Sequence, residues 1–203
     1  RNMGIKVDMA ILFDKVELEA CKAGITPRSR ESIAWFRKKA QQLKPSRSSL
    51  LKDEALTLKN RPRVGDMFMY FYDPKTKDTL PYYDRFPLTI MVGPAPKGFY
   101  GLNLHYIPLD LRAKLLDSLL DTINNKKYDD TTRFRISYDM LNRASKMKAF
   151  QPCFKRYLTS HVRSRLAKVN APEWEIATFL PTADFEKASL TKVYRDSKRK
   201  IAA

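Results

Sequence analysis

The stretch VGDMFMYFYDPKTKDTLPYYDRFPLTIMVGPAPKGFYGLNLHYIP, residues 64–108, decides the fold of this chain. Its aromatic and apolar run at 67–72 is short and lies between turn residues, a pattern typical of a buried strand. Two further strands are predicted at 88–92 and 99–107. The segment 93–98 between them holds two glycines and two prolines, which predict a loop.

Three or four short strands joined by tight turns predict a small central antiparallel sheet or an SH3-like barrel. A sheet this small needs helices on one face to be stable. We therefore predict an α+β fold, with the sheet flanked by an N-terminal helical hairpin and by C-terminal helices. The hairpin and its connector occupy residues 1–63. The sheet and the basic C-terminal helical part occupy residues 64–203, and both parts are expected to form one compact unit.

The N-terminal hairpin is predicted from apolar residues at spacings of three and four. Its first helix is expected at 5–23 and its second at 27–43. Thr26 precedes Pro27 at the start of the second helix, a pattern typical of an N-cap followed by proline in the first turn.

Three more helices are predicted after the sheet. The first, at 109–124, has the broadest apolar face, made mostly of leucines. The second is expected at 137–149, and the polar residues 126–135 before it are expected to form turns and at most one strand. The third is expected to run from 154 to 168, because apolar residues recur there at every fourth position.

The charge of the chain indicates a polyanionic partner. Its 203 residues include 39 lysines and arginines against 22 acidic residues, a formal net charge of +17. Nucleic acid is the first candidate for such a partner and an acidic protein surface is the second. No apolar run approaches the roughly 20 residues that span a bilayer, so no membrane partner is expected.

The excess charge is concentrated in the last third of the chain. Residues 140–172 contain eight cations and no acidic residue. If the apolar faces of the two predicted helices point to the core, these cations lie outward, repel one another and favour an external anion. The alternative is a solvated basic face. With three tail cations, the candidate nucleic-acid-binding residues are Arg143, Lys146, Lys148, Lys155, Arg156, Arg163, Arg165, Lys168, Lys198, Arg199 and Lys200.

Two adjacent tyrosines, Tyr82 and Tyr83, lie between predicted strands. They are expected to plug the end of the barrel, since most aromatic side chains in small domains are core residues. The alternative is a platform on which nucleobases stack. Asp84 and Arg85, which follow directly, are expected to form a local ion pair.

No catalytic or cofactor motif is evident in the sequence. The two histidines, His105 and His161, are expected to be packed or capping side chains, and Cys21 and Cys153 to be reduced core residues. No metal site, cofactor or catalytic residue is therefore expected. The nearest imitation of a metal-dependent nuclease site is the pair Asp184 and Glu186.

Four runs of sequence resemble a structural protein of large contractile-tailed, T-even-like bacteriophages, and within that group the DNA end protector family. They are YFYDPKTKDTLPYYDRFPL, GFYGLNLHYIPLDLRAKLLDSL, FKRYLTSHVRSR and EWEIATFLPTADF, and the resemblance covers most of the chain from residue 65 onward. It implies a non-enzymatic virion protein that binds the termini of packaged double-stranded DNA through phosphate contacts and blocks host exonuclease.

Two other functions stay open beside that interpretation. A baseplate or neck assembly protein could use the same basic face to dock acidic protein neighbours, and a metal-dependent nuclease is a third, weaker alternative. Under the main interpretation the partners are double-stranded DNA and other phage structural proteins. The expected location is the virion, and the host cytoplasm during assembly.

Overall fold

The computed structural model describes residues 9–27, 29–52, 56, 61–123, 127 and 129–203. It is an α+β protein, as predicted, with a small antiparallel sheet between N-terminal and C-terminal helices. The helices are α1 (Met9–Lys22), α2 (Arg30–Gln41), α3 (Arg47–Lys52), α4 (Leu109–Ile123), α5 (Asp130–Lys146), α6 (Trp174–Ala177) and α7 (Leu190–Ala202). The strands are β1 (Met67–Met69), β2 (Tyr83–Asp84), β3 (Leu88–Ala95), β4 (Gly98–Asn103), β5 (Phe154–Leu158), β6 (Ala167–Val169) and β7 (Phe185–Glu186).

The main sheet has five antiparallel strands in the order β5-β4-β3-β1-β6. In β1, Met67 pairs with Ile90 of β3 on one side and with Val169 of β6 on the other. At the opposite edge, Tyr157 of β5 pairs with Phe99 of β4. The short strands β2 and β7 form a separate two-stranded ladder.

The connection from β5 to β6 crosses from one edge of the sheet to the other. After a 3₁₀ turn at Thr159–His161, the Arg163 amide donates to the Phe71 carbonyl at 2.8 Å, and the Asp73 amide donates to the His161 carbonyl at 3.0 Å. This crossing closes the sheet into a small barrel. The order of the five strands, with a 3₁₀ turn before the last one, is that of an SH3-like barrel with a helical insertion between β4 and β5.

Side chains alternate across the sheet and divide the apolar residues into two cores. Met67 and Met69 point into the main core, a single cluster that reaches from Phe13 of α1 to Val193 of α7. The barrel interior is a second core, whose five buried members are all aromatic: Phe68, Tyr70, Tyr72, Phe99 and Tyr157. Most of these rings meet edge to face, the favoured geometry for aromatic pairs.

The predicted start of the second helix is wrong by a few residues. The helix begins at Arg30, with Ser29 as its N-cap. The Ser29 hydroxyl accepts from the Ser32 amide at 3.1 Å, and the Ser32 hydroxyl accepts from the Ser29 amide at 2.9 Å. This reciprocal pair satisfies two otherwise unpaired donors, so it outweighs the Thr26-Pro27 pattern. The first helix agrees with the prediction from Met9 onward, and residues 5–8 lie outside the described part of the chain.

The C-terminal helices confirm one prediction and correct two. Helix α4 lies where it was expected. Helix α5 begins at Asp130, whereas its start was predicted at residue 137. The prediction missed the first two turns because they are mostly polar in sequence and lack an apolar stripe. The predicted helix at 154–168 is wrong: this segment forms β5, the 3₁₀ turn and β6. Within the described residues, no helix is both long and apolar enough to cross a membrane.

Strand β5 approaches β4 closely at Gly98. A Cβ atom built on Gly98 would lie 1.8 Å from the carbonyl oxygen of Tyr157, whereas one on Gly93 would meet nothing within 4 Å. The pairing of these two strands therefore depends on the missing side chain at position 98.

Candidate nucleic-acid interface

The barrel separates the candidate cations into distinct groups. Lys155 and Arg156 lie on β5 at one edge of the sheet, whereas Lys168 lies on β6 at the other edge. The segment 154–168 thus forms strands and a 3₁₀ turn instead of a helix, which corrects the expectation that its cations lie on the outer faces of two helices.

Among the contacts of the described residues, carboxylates from elsewhere in the chain pair with Arg163 and Lys168 of that segment. Arg163 lies 3.7 Å from Asp73, and Lys168 lies 3.5 Å from Asp66. Both pairs are partly exposed, so each attraction is modest.

Other candidate cations donate to backbone oxygens instead. Arg156 reaches the Pro96 carbonyl at 2.7 Å. Arg143 donates to the carbonyl of Asp139 at 3.4 Å. A carbonyl orients a guanidinium without neutralising its charge, so an exposed cation held this way is positioned for an anion.

Two further candidate cations also donate to backbone oxygens. Lys148 donates to the backbone oxygen of Ala203, and Arg165 to the carbonyl of Leu51. Lys146 is exposed at the end of α5, and the exposed tail cations all lie on α7: Lys198, Arg199 and Lys200.

A cleft of about 480 Å³ opens at the end of the barrel. Its walls come from four parts of the chain: the loop 72–83, the 3₁₀ turn Leu104–Tyr106, strand β5 and helix α7. Ser197 of α7 donates to the carbonyl of Tyr106 at 2.6 Å and fastens two of these walls together. We call this feature the barrel-end cleft.

Cations outnumber carboxylates in the barrel-end cleft. Four lysines and arginines line it, among them Lys75, which sequence reasoning did not single out. The one carboxylate in the lining is that of Asp84, which is 3% exposed. The other three cations of the lining are candidates from the sequence: Lys155, Arg156 and Lys200.

Lys155 is the innermost of these cations. Its ammonium lies over the ring of Tyr106, 4.0 Å from the ring centroid, a cation–π contact. Among the described residues, no carboxylate pairs with it. Burial lowers the pKa of Lys155 to about 8, and repulsion from Lys200 acts in the same direction, while Cys153 opposes the shift. The cleft is therefore lined by two ammonium groups, those of Lys155 and Lys200, which repel each other.

Aromatic rings form the rest of the cleft. Tyr72, Tyr106 and Tyr157 are buried and make its floor, whereas Tyr82 and Tyr83 are half-buried at its rim. The Tyr82 ring packs on Tyr106 at a centroid distance of 6.3 Å with an interplanar angle of 30°. The two tyrosines predicted either to plug the barrel or to stack on bases therefore cover the barrel end and also border an open cleft.

The Asp84 carboxylate is fully occupied by hydrogen bonds. One oxygen accepts from the amides of Phe86 and Asp184, at 3.0 and 3.2 Å. The other accepts from Asn103 Nδ2 at 3.0 Å and from His105 Nδ1 at 2.7 Å. Burial acts to raise the pKa of Asp84, but His105 and the donated hydrogen bonds outweigh it and lower this pKa.

His105 continues this network to Thr182, whose hydroxyl lies 3.4 Å from His105 Nε2. Burial lowers the pKa of His105, so the ring is neutral at pH 7 and donates its Nδ1 proton to Asp84. The order carboxylate, imidazole, hydroxyl imitates a catalytic triad. His105 and Thr182 are both 0% exposed, however, so substrate cannot reach the hydroxyl. The network holds β2 against the sheet, as expected for a packed histidine.

A family model matches residues 17–201, and its description is Phage T4 terminal DNA protecting protein. This chain belongs to that family. The match to the terminal DNA protecting proteins contains all eleven candidate cations and the whole barrel-end cleft. It confirms the resemblance found in the sequence. The chain matches no curated protein and no solved structure.

In this member of the terminal DNA protecting family, Lys187 holds the outer wall of the cleft in place. Its ammonium donates to the carbonyls of Lys77, Asp78 and Leu80, at 2.6, 3.4 and 3.2 Å. Lys187 has a φ of +69°, in the left-handed region that a lysine rarely adopts. The backbone at this position therefore carries strain while its side chain bonds the loop.

The expected local ion pair of Asp84 with Arg85 is wrong. Adjacent residues of a strand point to opposite sides, and Arg85 instead bonds Asp184 and Glu186, each at 3.1 Å. These are the two carboxylates that the nuclease alternative needs, and the guanidinium engages both. In the part of the chain that is described, no group of three or more acidic, histidine or cysteine side chains is arranged to hold a metal ion.

Two smaller expectations have different outcomes. Cys153 is buried, as predicted for a core thiol, but Cys21 is exposed on α1. The apolar spacing of three and four residues does not decide which face of α1 carries a small side chain such as that of Cys21. His161 lies on the 3₁₀ turn and its Nδ1 bonds the Asp73 carbonyl at 2.8 Å, the structural role expected of it.

Proposed function

We propose that this chain binds the termini of double-stranded DNA through contacts of its cations with phosphates and shields them from exonucleases, without catalysing a reaction itself. Membership of the terminal DNA protecting family across residues 17–201 carries the proposal. The formal net charge of +17 supports it, because counterion release from DNA favours binding of strongly basic proteins.

The side of the molecule that bears β5 and α7 supports the proposal best. Arg156 and Lys148 there donate to backbone oxygens, and Lys198, Arg199 and Lys200 are exposed on α7 close by. Helix α7 packs on the 3₁₀ segment Lys148–Cys153 that precedes β5. We propose these cations as the principal phosphate ligands and the cations near β6 as peripheral ones. The chain would act in the virion, and in the host cytoplasm during assembly, beside other phage structural proteins.

A protection assay with a salt titration tests this function. Linear duplex DNA is incubated with the protein and then with an exonuclease that digests from ends, in parallel with a titration of affinity against salt. We expect the digestion to slow, and log affinity to fall linearly with log salt with a slope of about −5 for six phosphate contacts. Substituting Arg156→Gln should reduce the slope by about one. Lys38→Gln on the exposed face of α2 is the matched control and should leave the slope nearly unchanged.

Two outcomes would contradict the proposal. Absence of DNA binding at low salt would favour a protein that docks acidic neighbours in a neck or baseplate. Cleavage of the DNA by the protein alone in magnesium, abolished by Asp184→Ala, would favour the nuclease alternative.

A further inference from the structure

The barrel-end cleft is too small for a duplex and suits a single nucleotide. A sphere of about 480 Å³ is only about 10 Å across, whereas the major groove of B-DNA alone is about 12 Å wide. Nucleotides inside a duplex cannot enter such a space unless they leave the helix. A nucleotide at the end of a strand has no neighbour on one side, so it enters at a much lower unstacking cost.

The chemistry of the cleft matches the two halves of a nucleotide. Lys155 and Lys200 both line it, and each contributes one positive charge at short range from the other. A phosphate monoester carries close to two negative charges at pH 7, whereas the diester linking two nucleotides carries one. A terminal monoester therefore compensates both ammonium groups, which an internal phosphate cannot do.

The rim supplies the surface for a base. Tyr82 and Tyr83 are half-buried at the mouth, beside Lys75 and Arg156. Base stacking on an aromatic ring stabilises a bound nucleotide and tolerates any base. A platform of this kind holds strand ends regardless of their sequence, as end protection requires.

We infer that the barrel-end cleft binds the terminal nucleotide of a DNA strand, with its phosphate monoester between Lys155 and Lys200 and its base against Tyr82 and Tyr83. The inference rests on the proposed function and specifies which part of the DNA is recognised. Asp84, the carboxylate among the lining residues, has both oxygens engaged by four donors, so it offers no free acceptor to Lys155 or Lys200.

The test compares an open duplex of about 30 base pairs with a dumbbell of the same sequence whose ends are closed by hairpin loops. The two have similar phosphate counts, so they differ chiefly in the presence of strand ends. The open duplex is prepared with a 5′-phosphate, with a 3′-phosphate and with hydroxyls only, which identifies the strand end that is bound. Affinities are measured for the full chain by competition at constant salt.

We expect the native chain to bind one phosphorylated open duplex at least about tenfold more tightly than the dumbbell or the hydroxyl-ended duplex, as for charge-assisted hydrogen bonds to a phosphate. Lys155→Met and Lys200→Gln should each reduce the ratio of phosphorylated-duplex affinity to dumbbell affinity to about one, and this ratio is the readout because Lys200 also contributes to general phosphate binding. Lys200 is exposed on α7, so its variant tests the inference even if Lys155→Met fails to fold. Lys38→Gln is again the control and should keep the preference.

The failures of the two proposals are distinguishable. If the native chain prefers and protects open ends but all variants keep that preference, the cleft is not the site and the proposed function stands. Equal binding of phosphorylated and hydroxyl-ended duplexes by the native chain would also overturn the inference. If open duplex and dumbbell bind equally and exonuclease digestion is not slowed, the proposed function itself fails.

Discussion

The Lys155 ammonium should make end binding dependent on pH. Its pKa is about 8, and the charged or titratable groups that act on it are Lys200 and Cys153. Burial raises the pKa of Cys153 to about 12, above the range of the experiment. Below pH 8 Lys155 is already charged; above pH 8 phosphate binding must first protonate it. Affinity for the phosphorylated end should therefore fall by up to about tenfold per pH unit between pH 8 and 9.5.

Competition binding at several pH values checks this prediction. The Lys155→Arg variant keeps its charge throughout the range, so its affinity should change little with pH. An equally steep fall in this variant would show that another group causes the dependence.

Asp84 should be the most sensitive polar residue of the fold. In the native chain, each Asp84 oxygen accepts two hydrogen bonds. Asparagine replaces one of these oxygens with an NH₂ group, which cannot accept, so at least one buried donor loses its partner. Asp84→Asn should lower the free energy of unfolding by on the order of 3 kcal/mol. Urea unfolding at pH 7 measures the change, and Asp78→Asn, exposed on the outer loop, is the control.

The same substitution has a pH signature. Because the pKa of Asp84 is lowered in the folded chain, its stabilising contribution is complete above the unfolded value of about 3.9 and disappears as pH falls through the folded value. The difference between native chain and Asp84→Asn should therefore shrink below about pH 4. A difference that stays constant down to pH 2 would contradict the assigned charge.

At the level of the elements, the pairing of β4 with β5 depends on Gly98. A Cβ there would lie 1.8 Å from the Tyr157 carbonyl, which is backbone and cannot turn aside. Gly98→Ala should destabilise the chain by at least about 2 kcal/mol, because β5 must move away from β4 and disturb the aromatic core of the barrel. Gly93→Ala in the same hairpin meets open space and is the control. Thermal unfolding of the two variants makes the comparison, and equal midpoints would show that the strands adjust freely.

The cleft loop at residues 76–80 should become more mobile when Lys187 loses its ammonium group. Lys187→Met removes three donated hydrogen bonds to residues 77–80. We expect amide hydrogen exchange in 76–80 to speed up at least about tenfold while the unfolding midpoint changes little, because the loop is exposed. Lys38→Met, on the exposed face of α2, is the control. Unchanged exchange in the loop would mean that packing alone holds it.

Local sequence patterns located some of the strands but not those of the segment after α5. The strands at 67–69, 88–95 and 98–103 lie in the predicted aromatic and β-branched runs, but their bounds differ from the prediction. Strand β3 continues through residues 93–95, which were predicted to be loop, and Leu104–Tyr106 forms a 3₁₀ turn where the third strand was predicted to continue. The segment from Phe154 to Leu166 was predicted as a helix instead, because a spacing of four fits one face of a helix and, being even, also one face of a strand. Its choice depends on β4 and β1, which lie 50 to 100 residues away in the chain, so local periodicity could not reveal it.

At the scale of the whole molecule, the two predicted parts should unfold together. One apolar cluster includes Phe13 of the N-terminal hairpin, Ile90 of the sheet and Val193 of the last helix. We propose that residues 1–63 and 64–203 behave as a single cooperative unit. Calorimetry should show one transition, with equal calorimetric and van't Hoff enthalpies. Two separated transitions would show instead that the hairpin is an independent domain.

The whole molecule also explains why the interface could be predicted only in part. Counting charges made Lys155 and Arg156 candidates, because they lie in the acid-free segment, and Lys200 a candidate as a tail cation. It could not show that β5 and β6 lie at opposite ends of the strand order, or that Lys168 does not line the cleft. Nor could it find Lys75 or Tyr106, because they join the cleft from loops that only the tertiary fold brings together.

The helical insertion between β4 and β5 delays completion of the barrel during synthesis. Met67 of β1 pairs with Val169 of β6, and the cleft needs walls from Tyr72 through to Lys200. Pairings so distant along the chain form late and slowly. A nascent chain that lacks α7 therefore has most of the candidate cations but an incomplete cleft, and under the inference above it would not yet hold a strand end.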